Sequence, residues 1–271
     1  MQSKIAGYID LKTHPVALLW ADEAPEGALE FKPGRWGCVM SLLATVAAKG
    51  KTGAVSRQTF GCWGGGVGLG FGNVYHTFPG GLEGFYRFLS DGNESSDEGR
   101  QIGQGLAQAG AAQLADDFLK GERYVKDAAC TKRFVDSMPM RDIPAKYVVA
   151  QPLEKIDAER DQIKSVTFFV EPDALSALVI LANYTHPERE NVAMPWAAGC
   201  QVMGIFAYRE LESEHPRALV GLTDISTRRS VRHSLGKSVM SFTAPWPMFL
   251  EMEGHADGSF LERETWHDLR K

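Results

Sequence analysis

Four cysteines, Cys38, Cys62, Cys130 and Cys200, are the side chains of this sequence most suited to chemistry, and they lie far apart with no C-x-x-C pair. That spacing fits neither a secreted disulfide scaffold nor a zinc finger or ribbon, so any shared site must be assembled by the fold. Cys38 and Cys200 each follow a glycine and fall where helices are predicted to start. A helix start concentrates unpaired N–H groups and partial positive charge, which favours thiolate over thiol. Thiolates are what soft metals and iron–sulfur clusters require. Cys38, Cys62 and Cys200 are therefore the expected metal ligands: three thiolates would hold a four-iron cluster with one iron open, or a zinc with an open position. Cys130 is a fourth ligand only if folding brings it close. Gly64, Gly65 and Gly66, just after Cys62, are the expected cofactor-binding backbone, their N–H groups turned as a nest toward bridging sulfide or an anion.

Other readings compete with this one. Free cysteine packs as a small buried hydrophobe, and dense glycine also serves close packing and tight turns. Cys62 or Cys38 could instead be the nucleophile of a cysteine-dependent enzyme. A third alternative is a non-catalytic module for a small anion, using the glycine turn with Arg228, Arg229 and Arg232 after Asp224, although surface charge explains the arginines as well. Glu251, Glu253 and His255 alternate and would share a face on an extended chain, but the pattern around Phe249, Leu250 and Met252 is helical and separates them. His76 has no spacing that singles it out as a base. Trp36, Trp63 and Trp196 each lie within four residues of a candidate cysteine and could shield a site or simply fill a core. G-x-G-x-x-G in strand-to-helix context, a P-loop, H-E-x-x-H and G-x-S-x-G are all missing from the sequence, which leaves nucleotide, zincin and serine-hydrolase readings without support.

The elements that must position these groups read as mixed α/β, a mixed sheet with flanking helices. Pro15–Trp20, Thr52–Ser56, Tyr147–Ala150, Val166–Val170, Ala218–Leu222 and Ser238–Thr243 are predicted strands. Val39, Leu42, Leu43 and Val46 recur at helical spacing from Cys38 to Ala48, with Gly50 as the stop. Gly61–Gly72 carries too many glycines for an ordinary helix. A short helix is expected from Pro79 with Leu82, Phe85 and Leu89 on one side. A long one, boxed by Ser95 and Glu98, runs through Ile102, Leu106, Leu114 and Phe118 to Gly121. Asp173–Ala182 and Trp246–Glu253 complete the helices.

The chain has 271 residues, 44% of them hydrophobic and 23% charged, ordinary for one globular domain of 1–271. Twenty-nine basic against 34 acidic side chains give a net charge of −5, without the basic stripe that nucleic acid requires. The N-terminus meets Asp10 before any apolar run, and the apolar stretches stop short of a membrane span. The expectation is a soluble, cytoplasmic protein with no membrane or nucleic-acid partner. A redox partner, a small anionic ligand and a homo-oligomer all remain open.

Pro33–Cys38 and Pro195–Cys200 share the pattern P-x-x-x-G-C, each followed by an apolar helical stretch, a break and a strand. Twenty-four residues beyond the cysteine stand Cys62 in one copy and Asp224 in the other. An internal duplication with halves 1–145 and 146–271 would put Cys38 and Cys200 at equivalent helix starts.

Beyond these patterns, the Pro15–Leu19 strand, Gly37-Cys38, Cys62-Trp63-Gly64-Gly65 with Gly68-Leu69-Gly70, and the Pro79–Leu89 segment form an ordered series. It continues through Tyr147–Leu153, Val170-Glu171-Pro172-Asp173, Gly199-Cys200, Leu222-Thr223-Asp224, Ser241–Pro245 and Met248-Phe249. This series resembles the family called domain of unknown function 169, or ArCR, found in archaea and bacteria, many of them anaerobes. The likeness runs over nearly the whole chain and implies little about activity. Cys38, Cys62 and Cys200 fall at positions where the family carries cysteines, and Cys130 matches no family motif.

Overall fold

A computed structural model describes residues 1–271. By internal contacts the chain forms two compact units, one of Met1–Phe71 with Arg141–Lys271 and one of Gly72–Met140. In the first, α1 (Lys4–Tyr8), β1 (Val16–Ala21), α2 (Val39–Lys49), β2 (Gly53–Ser56) and α3 (Trp63–Leu69) come before the inserted unit. The second unit is helical: α4 (Gly81–Leu89), α5 (Asp97–Gln108), α6 (Ala112–Lys120) and α7 (Ala128–Asp136). The first unit resumes with β3 (Tyr147–Pro152), β4 (Gln162–Val170), α8 (Pro172–Ala182), β5 (Val192–Ala193) and α9 (Gly199–Gln201). A π turn over Val202–Phe206 joins α9 to α10 (Ala207–Leu211), followed by β6 (Ala218–Gly221), α11 (Ile225–Leu235), β7 (Met240–Pro245), α12 (Trp246–Gly254) and α13 (Glu264–Leu269).

The seven strands form one mixed sheet in the order β2-β3-β1-β4-β7-β6-β5, antiparallel except where β5 pairs with β6. Its centre is β4, whose alternate residues serve two buried faces. Val166, Phe168 and Val170 point into the core with Phe242, Leu178, Leu181 and Phe249, each large side chain contributing roughly 1.5–3 kcal/mol of burial. The opposite residues, Ser165 and Thr167, are equally buried. Thr167 pairs with Thr243 across the β4–β7 ladder at 2.8 Å, and Ser165 donates to the Met203 carbonyl of the π turn at 2.9 Å. Small polar side chains therefore let the α9–α10 run lie close on the sheet while keeping their own hydrogen bonds.

The mixed α/β architecture agrees with the sequence, and the predicted strands are present to within a few residues. Two helix assignments change. Gly61–Gly72 is not free of helix, since Trp63–Leu69 is α3, its start capped by Cys62, which accepts from the Gly65 N–H. Close packing offsets the poor propensity: a Cβ on Gly65 would stand 2.3 Å from Val39 Cγ2 of α2, and one on Gly68 would stand 2.8 Å from the Gln201 nitrogen of α9. The long helix ending at Gly121 is two helices, because Gly110 takes up a left-handed conformation between α5 and α6. Its N-cap is Ser96, accepting from Gly99, rather than Ser95.

The two runs of chain around the sheet centre have matching topology. Strands β1, β3, β2 read outward on one side as β4, β7, β6 do on the other. Cys62 at the N-cap of α3 corresponds to Asp224 at the N-cap of α11. That likeness does not by itself establish a duplication.

Gly64 and Gly68 are one helical turn apart with opposite surroundings, and nothing lies within 4 Å of a Cβ on Gly64. Gly64→Ala is expected to hold or raise stability by up to about 1 kcal/mol through helix propensity. Gly68→Ala, which meets rigid backbone, should lower it by about 1–3 kcal/mol. Urea unfolding midpoints of the two variants check the difference.

Candidate functional site

Three helix starts in the first unit converge, and each carries a cysteine. Cys38 is the N-cap of α2, Cys62 the N-cap of α3, and Cys200 the second residue of α9. The backbone draws the first two together on both sides. The Gly37 N–H donates to the Gly61 carbonyl at 3.4 Å just before them, and Gly65 lies against Val39 just after them. Helix α3 packs against α9, which brings Cys200 alongside. Its thiol donates to the Gly64 carbonyl at 3.3 Å.

The neighbouring Cys62 thiol is the first cause of a Cys38 pKa lowered to about 6. Burial opposes the shift. The Ser230 hydroxyl of α11, also bonded to the Ser226 carbonyl, supports the thiolate, as do the N–H groups of Met40 and Ser41, which face it without closing a capping bond. Cys62 is pushed well above the usual thiol range by the neighbouring Cys38 and by burial beside the sulfurs of Cys200 and Cys38. Both shifts favour the charge on Cys38 and the proton on Cys62. Burial raises Cys200, helped by the negative charge of Cys38 and Asp224, so its thiol stays protonated. Cys38 and Cys62 are partly exposed and Cys200 is buried.

Asp224 fixes the frame. Its carboxylate accepts from the Thr227 N–H at 2.6 Å, capping α11, and from the Gly199 N–H at 3.1 Å, tying that cap to the start of α9. Burial raises its pKa while these bonds pull it down. Helix α11 lies against α2, with the Ser41 hydroxyl donating to the Ser230 carbonyl at 3.4 Å.

The other candidates separate from this site. Of the expected cofactor-binding glycines, Gly65 gives its N–H to Cys62 Sγ and Gly66 to the Cys62 carbonyl, and Gly64 receives the Cys200 thiol. The Gly65 and Gly66 N–H groups are thus engaged within α3. Arg228 is committed to the carbonyls of Leu222, Val239 and Lys237. Cys130 lies on α7 of the second unit with the Arg133 guanidinium at 3.0 Å from its sulfur. In that unit a His76 ring nitrogen bonds the Asn73 carbonyl. The trio at the end of α12 diverges as its helical pattern requires. Glu253 is buried against the Ser3 hydroxyl and the Lys4 N–H, while Glu251 and His255 line a cavity of about 390 Å³ with His186, Arg189 and His215. No cysteine lines that cavity. Its polar groups are paired with one another, Glu251 with Thr185 and His186, and Arg189 with His215.

No three His, Cys, Asp or Glu side chains are arranged as a metal-binding group. No helix is long and apolar enough to cross a membrane. Sequence reasoning missed the role of Ser230, which has no local signature. Asp224 with Thr227 three residues on was readable as a cap.

Asp224→Ala removes a cap and strands the buried Gly199 N–H. The expected loss is about 2 kcal/mol or more, above the ~1 kcal/mol of a typical cap, measured by urea unfolding against an Asp224→Asn variant that keeps one acceptor.

Neither the curated proteins nor the solved structures contain a match to this chain. The family model described as uncharacterised ArCR matches residues 4–255, a span that includes all three converging cysteines. The chain therefore belongs to the ArCR family, domain of unknown function 169.

Proposed function

We propose that this protein works through a cysteine thiolate, with Cys38 as the nucleophile and Cys62 as the thiol that stabilises it. The observation that carries this reading is the position of Cys38 at the N-cap of α2, held beside Cys62 by the hydrogen bond from the Gly37 N–H to the Gly61 carbonyl at 3.4 Å. A thiolate near neutral pH is the reactive form of cysteine. Here it is supported by a neighbouring S–H, by the Ser230 hydroxyl and by the N-terminal end of an 11-residue helix. Cys38 is partly open to solvent, whereas Cys200 is buried and holds its proton against a carbonyl.

An iron–sulfur cluster or other thiophilic metal on Cys38, Cys62 and Cys200, with a redox or cofactor-handling role, is the second reading. It is favoured by the mutual electrostatic reach of the three sulfurs, since a soft cation would relieve the repulsion between them. It requires Cys200 to release both its proton and its bond to Gly64. A site for a small anion has less support, because the arginine and glycine groups it would use are engaged internally.

With iodoacetamide, the reduced protein is expected to be carboxyamidomethylated first at Cys38, the rate rising with pH through a midpoint of about 6. Cys62→Ala should move that midpoint up by at least one pH unit, toward the ordinary thiol value of about 8.5. Peptide mapping after timed quenching reads both results. Uniformly slow labelling of Cys38 would overturn the proposal. Iron, sulfide and zinc analysis of protein purified without oxygen separates the readings: metal-free protein is expected for the first, and near-stoichiometric iron with sulfide, or zinc, moves the conclusion to the second.

A further inference from the structure

We infer that Cys38 and Cys62 form a redox dithiol whose substrate class is a disulfide, with Cys38 attacking and Cys62 resolving. This deepens the thiolate reading and rests on it. The two cysteines stand side by side at the starts of α2 and α3, although 24 residues of sequence separate them. Their backbones are pinned at matching places. The Gly37 N–H meets the Gly61 carbonyl at 3.4 Å one residue before each cysteine, and Gly65 abuts Val39 on the far side. A disulfide needs ~4.4–6.8 Å between Cα atoms, and the backbone hydrogen bond one residue before each cysteine draws the two segments toward that separation. A crosslink between the starts of α2 and α3 therefore joins elements already in contact.

The third sulfur is held out of this exchange. Cys200 is buried and gives its thiol proton to the Gly64 carbonyl, leaving Cys62, on the segment hydrogen-bonded to that of Cys38, as the resolving partner. The exchange balances in two steps. The Cys38 thiolate attacks one sulfur of R–S–S–R, forming Cys38–S–S–R and expelling RS⁻. Cys62 loses its proton and attacks the Cys38 sulfur, forming the Cys38–Cys62 bond and expelling the second RS⁻. The protein loses two electrons, the external disulfide gains them, and the two RS⁻ released become RSH with the proton from Cys62 and one from solvent. The reverse sequence reduces the protein with a dithiol.

Oxidised glutathione serves as the probe disulfide on the full-length reduced protein, followed by acid quenching, intact mass and peptide mapping. The expected result is loss of two hydrogens with a Cys38–Cys62 crosslink, retained in Cys200→Ser and reversed by dithiothreitol. Cys62→Ser should instead accumulate one glutathione, on Cys38. A persistent glutathione adduct on Cys38 of the unsubstituted protein, or a crosslink that uses Cys200, overturns the inference. Iodoacetamide labelling keeps the two claims apart. If Cys38 alkylates readily at pH 6–7 and no crosslink forms, the dithiol assignment alone fails; if Cys38 is inert, the thiolate reading fails with it.

Discussion

The site depends on how closely α3 approaches its neighbours. Side chains are missing from the two faces that α3 presents, Gly65 toward Val39 of α2 and Gly68 toward Gln201 of α9. Backbone meets backbone or a branched side chain there at distances that no Cβ could share. Three helix starts, which would otherwise be separated by a layer of side chains, bring their sulfurs together instead. The sulfur chemistry follows from that packing. A lone cysteine at a helix N-terminus gains a modest preference for the thiolate, and the neighbouring Cys62 thiol lowers the Cys38 pKa further.

The same packing separates three cysteines that looked alike in sequence. Cys38 and Cys62 stand at the N-cap positions of neighbouring helices, only Cys62 closing a capping bond, while Cys200, one residue inside its helix, points its thiol at the Gly64 carbonyl. Asp224 holds this difference in place, because one carboxylate oxygen caps α11 and the other takes the first N–H of α9. A negative charge beside Cys200 discourages a second thiolate.

Much of the fold was legible in the sequence. The apolar spacing of Val39, Leu42, Leu43 and Val46 gave α2, and the β-branched run Tyr147–Ala150 gave β3. Short glycine-preceded cysteines marked the helix starts at Cys38 and Cys200. Helix α3 was hidden because four glycines in seven residues argue against helix locally, and its stability comes from packing across the sequence. The buried face of Ser165, Thr167, Ser241 and Thr243 was hidden for a related reason: alternation of polar and apolar residues looks the same whether the polar side faces water or an opposing helix. That the helix starts carrying Cys38, Cys62 and Cys200 lie side by side, and that the Gly65 and Gly66 N–H groups and Arg228 are engaged internally, could not be read from sequence, since both depend on which carbonyls and sulfurs the fold brings near.

The π turn over Val202–Phe206 sits between the Cys200 helix start and α10. A π turn is in effect one residue inserted into an α-helix. Removing a single residue from this segment would restore α-helical winding and rotate everything on one side of the cut by about 100° relative to the other. Either Cys200 would leave its place beside α3 or Tyr208 and Glu210 of α10 would leave their buried positions. The segment is thus intolerant of length change even where it tolerates substitution, and lineages that carry this arrangement should vary in the side chains of residues 202–206 before they vary in their number.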